Sequence, residues 1–209
     1  MTKAQHKRDQ DKAKRRDDII DAAEALALET GWEQVTVGAV AKRAGLSRAL
    51  LYLYFDNKTD LHTAIAERAR RELLKRFEDA LDGSSGLDRF TGLGHAYVNF
   101  ARDCPHYFEA ISRFEAANLE SSSPTKTSEE ITANPVHRLI VQTLEEEVMH
   151  GTVRPDLSNL NMVAINLWAF THGLIQISTN KRNQLAKGGI QTPALMQSAF
   201  DMIRKSIAA

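Results

Sequence analysis

The stretch TVGAVAKRAGLSRALLYLYF, residues 36–55, decides how this chain reads. Thr36 stands directly before residues 37–44, in which Val37, Val40 and Ala41 recur at helical spacing and so share one face. Ala41 is small enough to let a second helix cross closely, and Gly45 can take the positive φ that a tight turn requires. Ser47 supplies a hydroxyl suited to capping the next helix. Leu46 and Leu51 then fill a three-helix core, which leaves Arg48, Ala49, Tyr52 and Leu53 as outward positions. Two short helices joined this way predict a helix-turn-helix. Its second helix has the dimensions to enter a DNA major groove with its first residues near base edges, while hydroxyls and cations around it bond phosphates.

On both sides of this stretch nearly every segment repeats at helical period, and no sustained apolar–polar alternation marks a strand, so the chain is expected to be all-α. Ile19, Ile20, Ala23, Leu26 and Ala27 form the stripe of a helix over residues 17–30, with an acidic first turn and Gly31 as its C-terminal cap. A long helix opens at Asp56-Asn57-Lys58, carries Leu61, Ile65, Leu73, Phe77 and Leu81 inward, and ends at Gly83-Ser84-Ser85-Gly86. Further helices are expected over residues 87–102, 105–119, 136–150, 160–178 and 193–207, and a surface loop over the Ser- and Thr-rich residues 121–134. The domain plan is a basic flexible arm over residues 1–13, a helix-turn-helix domain over 14–60, and a C-terminal helical domain over 61–209.

The 27 basic and 27 acidic side chains of the 209 residues cancel, but not locally. Residues 1–16 carry seven basic and two acidic groups, whereas residues 17–33 carry six acidic groups and none that is basic. A zero total therefore does not exclude nucleic acid, because phosphate contact depends on where the cations sit. The arm has two readings, a solvated tail or a segment that reaches along the DNA backbone or into a minor groove.

A single cysteine, Cys104, excludes a disulfide framework or a multi-cysteine metal site and fits a reducing, cytoplasmic setting. It is either a redox-sensing thiol or a small buried hydrophobe. The polar start of the chain has no apolar run behind it, so no secretory leader is expected. Residues 162–177 are interrupted by Asn166, Thr171, His172 and Gln176, which suits a buried helix and not a membrane span. The seven histidines lack metal-ligand spacing, and there is no nucleophile elbow or glycine-rich phosphate loop. No catalysis, cofactor or metal is expected. The rival to a DNA-binding protein is a helical protein-interaction module that keeps the motif without binding DNA.

Thr36, Ala44-Gly45-Leu46-Ser47, Leu51-Tyr52-Leu53-Tyr54-Phe55 and Lys58 together resemble the DNA-binding domain of the TetR family of transcriptional regulators, over a little more than a quarter of the chain. The resemblance implies that Thr36, Tyr52, Tyr54 and Lys58 meet phosphates, that Arg48 and Ala49 start the base-reading helix at Ser47, and that Arg43 lies near the backbone. Leu50 replaces a Thr common in the family, and Leu53 is apolar where many members are not. Either Leu50 turns into the core, or with Ala49 and Leu53 it offers an apolar surface to thymine methyls, the one apolar group of the major groove. The family likeness further implies a repressor on a palindromic operator of double-stranded DNA. It implies a homodimer through the helices at 160–178 and 193–207, and a small-molecule effector inside the C-terminal domain, with the long helix as lever. Candidate effector contacts are Tyr97, Asn99, Phe100, Phe114, Trp168 and His172, the last two sharing a helix face at i and i+4.

Overall fold

The computed structural model describes residues 3–119, 134–157 and 159–209. The helices are α1 (Lys3–Thr30), α2 (Val37–Arg43), α3 (Arg48–Leu51), α4 (Lys58–Leu81), α5 (Asp88–Asp103), α6 (Pro105–Leu119), α7 (Pro135–Met149), α8 (Leu160–Asn180), α9 (Arg182–Lys187) and α10 (Thr192–Ile207), with a 3-10 turn at Trp32–Gln34. Among the described residues there is no strand. The loop expected at residues 121–134 lies outside the described residues, apart from Asn134, whose side chain caps α7.

Two compact units emerge: Met1–Ala69 with Cys104–Ser122, and Arg70–Asp103 with Ser123–Ala209. The first is therefore larger than the expected domain over residues 14–60, because the first half of α4 and all of α6 contribute to it. Its core joins Ile19, Ile20 and Ala23 of α1 to Val40 and Ala41 of α2, Leu51 of α3, Phe55, Leu61 and Ile65 of α4, and Ala110 and Phe114 of α6. The Trp32 indole N–H donates to the His106 carbonyl at 2.8 Å, and its ring meets Phe114 edge-on with centroids 5.1 Å apart. His62 stacks on the other side of that cluster, 4.0 Å from the Phe114 centroid.

The flexible arm expected at residues 1–13 is corrected: α1 begins at Lys3 and runs unbroken to Thr30. No Gly or Pro interrupts it, and Lys, Arg, Gln and Ala are strong helix formers. Pairs at i,i+3 and i,i+4 link successive turns, Arg15 with Asp18 and His6 with Gln10. With the start moved upstream, the acidic block at 17–24 no longer serves as a first turn. Asp17, Asp21 and Glu24 instead surround the Arg68 guanidinium of α4. Burial raises the Glu24 pKa, with Arg68 and a Tyr107 hydrogen bond acting against it.

The second unit packs Leu174 of α8 against Met196, Ala199 and Phe200 of α10, with Val98 of α5 alongside. Arg89 reaches from α5 to the carboxylates of Glu146 and the buried Glu147 on α7, at 2.8 and 3.0 Å. The apolar run at residues 162–177, expected to suit a buried helix, is covered only in part within the chain. The α8 window is long and apolar enough to cross a membrane by length and composition, at mean hydropathy 1.2, yet only 17% of it is buried. Met162, Ile165, Phe170 and Ile177 are exposed, because a bundle of this size covers only one side of the helix.

Two outcomes are expected. A Cβ placed on Gly94 would lie 2.5 Å from Cε1 of the buried Phe200 ring, so one of the two must shift. Gly94→Ala is therefore expected to destabilise the chain by about 1–3 kcal/mol in urea denaturation, and Phe200→Leu in the same chain to recover part of the loss. In the first unit, burial and then the charge of Lys58 push the His62 pKa down to about 4 from 6.5. The folded state thus favours neutral His62, whose contribution is complete above pH 6.5 and lost as pH falls from 6.5 toward 4. Melting temperatures measured across that window should fall more steeply for the natural chain than for His62→Leu, and parallel curves would remove His62 from the account.

Candidate nucleic-acid interface and effector cavity

The turn between α2 and α3 is closed by backbone alone. Gly45 sits at φ 68, and Leu46 N–H reaches back to the Ala41 carbonyl at 2.8 Å, the six-to-one bond of a left-handed helix cap. Hydroxyls then start both helices: Thr36 Oγ1 accepts from Ala39 N–H at 3.2 Å and Ser47 Oγ from Leu50 N–H at 3.1 Å. Each hydroxyl uses a lone pair in this way and keeps its own proton to donate outward. Leu51 is fully buried and anchors the helix from inside.

Outside, Ser47, Arg48, Ala49, Leu50, Tyr52 and Leu53 are all exposed, with Leu53 at 69% and Tyr52 at 49%. Leu50 is 38% exposed, which decides between its two placements: it does not enter the core. Tyr54 is half-buried and packs on the core, so the two tyrosines differ in environment. Arg48 lies across Gly38 of α2, where a Cβ would stand 2.4 Å from its Nη2. This glycine, unflagged in the sequence reading, is the floor under the principal base-reading candidate. Arg43, expected near the DNA backbone, is paired within the chain. Both its terminal nitrogens donate to the Glu29 carboxylate at 2.6 Å, and that bond lowers the Glu29 pKa.

Lys58 is exposed as the first residue of α4. Its position is fixed by a cap in which Asn57 Oδ1 accepts from Asp60 N–H at 2.9 Å and Asp60 Oδ2 accepts from Asp56 N–H at 3.1 Å. Arg16 of α1 completes the arrangement, bonding Asp60 at 3.1 Å with its guanidinium 4.6 Å from the Phe55 ring centroid.

In the second unit a small cavity of about 30 Å³ is lined by Phe77, Phe90, Tyr97, Trp168, Thr171 and Ile203, among others, none of them charged. Trp168 Nε1 donates to the Tyr97 hydroxyl oxygen at 3.2 Å, and that hydroxyl lies 2.7 Å from His172 Nδ1. Burial lowers the His172 pKa. The structure thus brings Tyr97, Trp168 and His172 together. Phe100 is buried beside Tyr97 without lining the cavity, and Asn99 points to the exposed side of α5. Phe114 is corrected most clearly, since it belongs to the core of the first unit. Among the described residues no group of three or more His, Cys, Asp or Glu is placed to hold a metal ion.

With this geometry in place, comparison with known proteins is informative. A family model described as bacterial regulatory proteins, tetR family, matches residues 19–69, and one described as tetracyclin repressor-like, C-terminal domain, matches residues 90–200. The HTH-type transcriptional regulator YobS of Bacillus subtilis is 29% identical over 92 residues, 44% of this chain and 48% of that protein, so the match spans about half of that relative. The HTH-type transcriptional repressor KstR2 of Mycolicibacterium smegmatis is 30% identical over 146 residues, covering 69% of this chain and 70% of that one. A solved structure from Rhodococcus sp. RHA1, of unknown function, superposes over 93% of this chain and 95% of its own with TM-score 0.72 at 19% identity, a likeness of fold alone. The exposed recognition surface, the hydroxyl-capped turn and matches that run through both units place this chain in the TetR family of helix-turn-helix transcriptional regulators.

Proposed function

We propose that the chain represses transcription as a two-fold homodimer on a palindromic operator and is released when a small molecule occupies the Tyr97–Trp168 cavity. The observation that carries this reading is the exposed row from Ser47 to Leu53, held on a rigid turn with donors at Thr36, Ser47, Tyr52 and Lys58 around it. Arg48 is the one long cation in that row and the natural partner of guanine edges, while Ala49, Leu50 and Leu53 suit thymine methyls. Tyr52, Tyr54 and Lys58 serve the phosphates, which position the helix without reading sequence.

One half-site per chain calls for a second copy. The exposed apolar face of α8, with Met162, Phe170 and Ile177, and Met202 on α10 supply the surface a dimer would cover. The effector is expected to be mostly apolar, because the cavity lining carries no charge and few polar atoms.

Arg48→Ala is expected to lose discrimination at the contacted base by about 1–3 kcal/mol, whereas Lys58→Ala weakens all sequences alike and reduces the log–log salt slope by about 1. Uracil in place of operator thymine should weaken binding through the lost methyls. Fluorescence anisotropy on genomic fragments selected by footprinting reads all three, and salt-insensitive or absent binding overturns the reading. A Phe170→Glu, Ile177→Glu chain is expected to sediment as a monomer and to bind DNA far more weakly; a dimer persisting in that variant removes the α8 face from the interface.

A further inference from the structure

The first turns of α1 raise a question that the core does not answer. From residue 5 onward Ile19 is the first buried residue of the helix, and residues 5–15 are all exposed. The extension upstream of Ile19 is about 24 Å long at 1.5 Å per residue, and it packs an apolar face on nothing. Its sequence excludes most partners. Residues 3–16 contain no hydrophobic side chain larger than Ala4 and Ala13, so neither insertion into a lipid surface nor docking in an apolar groove has anything to bury. Charge is the chemistry that remains, and residues 3–16 hold seven cations against Asp9 and Asp11.

The placement of those cations is specific. Arg8, Lys12 and Arg15, at i, i+4 and i+7, fall on one face of α1, and with Asp11 they line a crevice of about 470 Å³ whose remaining walls are Leu53 and Tyr54. Leu53 and Tyr54 directly follow the recognition helix α3, so the crevice continues the surface assigned to DNA. Arg16, on the next turn, is already engaged by Asp60 and Phe55, which fixes the helix to the start of α4. Arg15 shares Asp18 at 3.5 Å, whereas Arg8 and Lys12 make no ion pair among the described residues.

We propose that Arg8 and Lys12, with Arg15, form a second phosphate-binding site: a helical rail that holds the duplex backbone outside the bases read by α3. The proposal rests on the DNA-binding reading and adds to it a contact carried by an ordered helix and not by a flexible arm. Its ligand is the phosphate backbone, so it contributes affinity and length of footprint without sequence preference. Two additional phosphates neutralised per chain steepen the salt dependence by about 1.8 in log–log slope, at about 0.9 per phosphate.

The test uses the full chain and a random-sequence 40-base-pair duplex, with anisotropy titrations from low to high salt. Arg8→Gln with Lys12→Gln retains good helix formers and should leave the circular dichroism unchanged while the slope falls by about 1.8 per chain. The same two-charge loss at Lys181 and Lys187, in the second unit, should leave the slope as it was. Equal slopes for the Arg8/Lys12 variant and the natural chain overturn the rail, as does an equal fall in the Lys181/Lys187 variant, which would make net charge the cause. If the natural chain binds neither this duplex nor genomic DNA, the regulator reading itself fails and takes the rail with it. Lys58→Ala distinguishes the cases: a reduced slope there beside an unchanged one for Arg8/Lys12 rejects the rail alone.

Discussion

The recognition helix α3 has four residues, and a helix of that length has no stability of its own, since isolated helices remain marginal up to about 12–15 residues. Its shape is imposed from outside. Gly45 in the left-handed region reverses the chain, the Leu46-to-Ala41 bond closes the turn, Ser47 caps the Leu50 amide, and fully buried Leu51 fastens the helix to the core. Caps of this kind contribute about 1 kcal/mol each and a buried leucine about 2 kcal/mol, and the remaining support comes from the core around Leu51. The direction of Arg48 is consequently a property of the core that holds Leu51. That core also contains Trp32, Leu61 and Phe114, so α1, α4 and α6 all bear on where the Arg48 side chain points.

The parts legible in the sequence are those set by local chemistry. A glycine with hydroxyls on either side, apolar positions at three- and four-residue spacing, and Pro near the first turn of a helix specify the turn and most helix ranges, because neighbours in sequence supply their energetics. What escaped depends on partners far along the chain. Arg43 reads as a free cation until Glu29 is found beside it. Phe114 reads as a cavity aromatic because helical spacing shows that a ring is buried and not in which core. The start of α1 escaped for a different reason: its first turns pack against no core, so the apolar pattern that marks a helix is absent and only intrinsic propensity remains to mark it. Short α9 and the 3-10 turn at Trp32 fall below the length at which a period can be recognised.

The exposed face of α8 sets a second constraint. Asn166, Thr171, His172 and Gln176 interrupt the apolar run, and they divide between roles. Thr171 turns its hydroxyl to the Leu167 carbonyl at 2.9 Å, and His172 joins the Tyr97 network, so both are satisfied within the unit. Met162, Phe170 and Ile177 have no such use inside the chain. The inward face, with Ala164, Leu174 and Ile175, is already apolar, so apolar residues on the outward face as well depart from the usual soluble pattern, and covering by a second protein surface would restore it. The same residue alternation explains why mean hydropathy alone gives α8 the profile of a spanning helix.

The size of the cavity between α5 and α8 has a consequence for how an effector could act. At about 30 Å³ it has room for roughly two or three water molecules, whereas pockets for small organic ligands are on the order of 300–1,000 Å³. Any effector must therefore move Trp168, Ile203 or Phe90 to enter, and the opened packing is a different state from the one described. This is what signalling requires. A ligand that fits both states equally shifts nothing, however tightly it binds, and moving a 1:99 equilibrium to 99:1 takes about 5.5 kcal/mol of preference. A preformed cavity offers little of that preference. In the proposed effector response, ligand burial confined to an opened form, less the cost of breaking the Trp168–Tyr97 bond, would supply the preference for release.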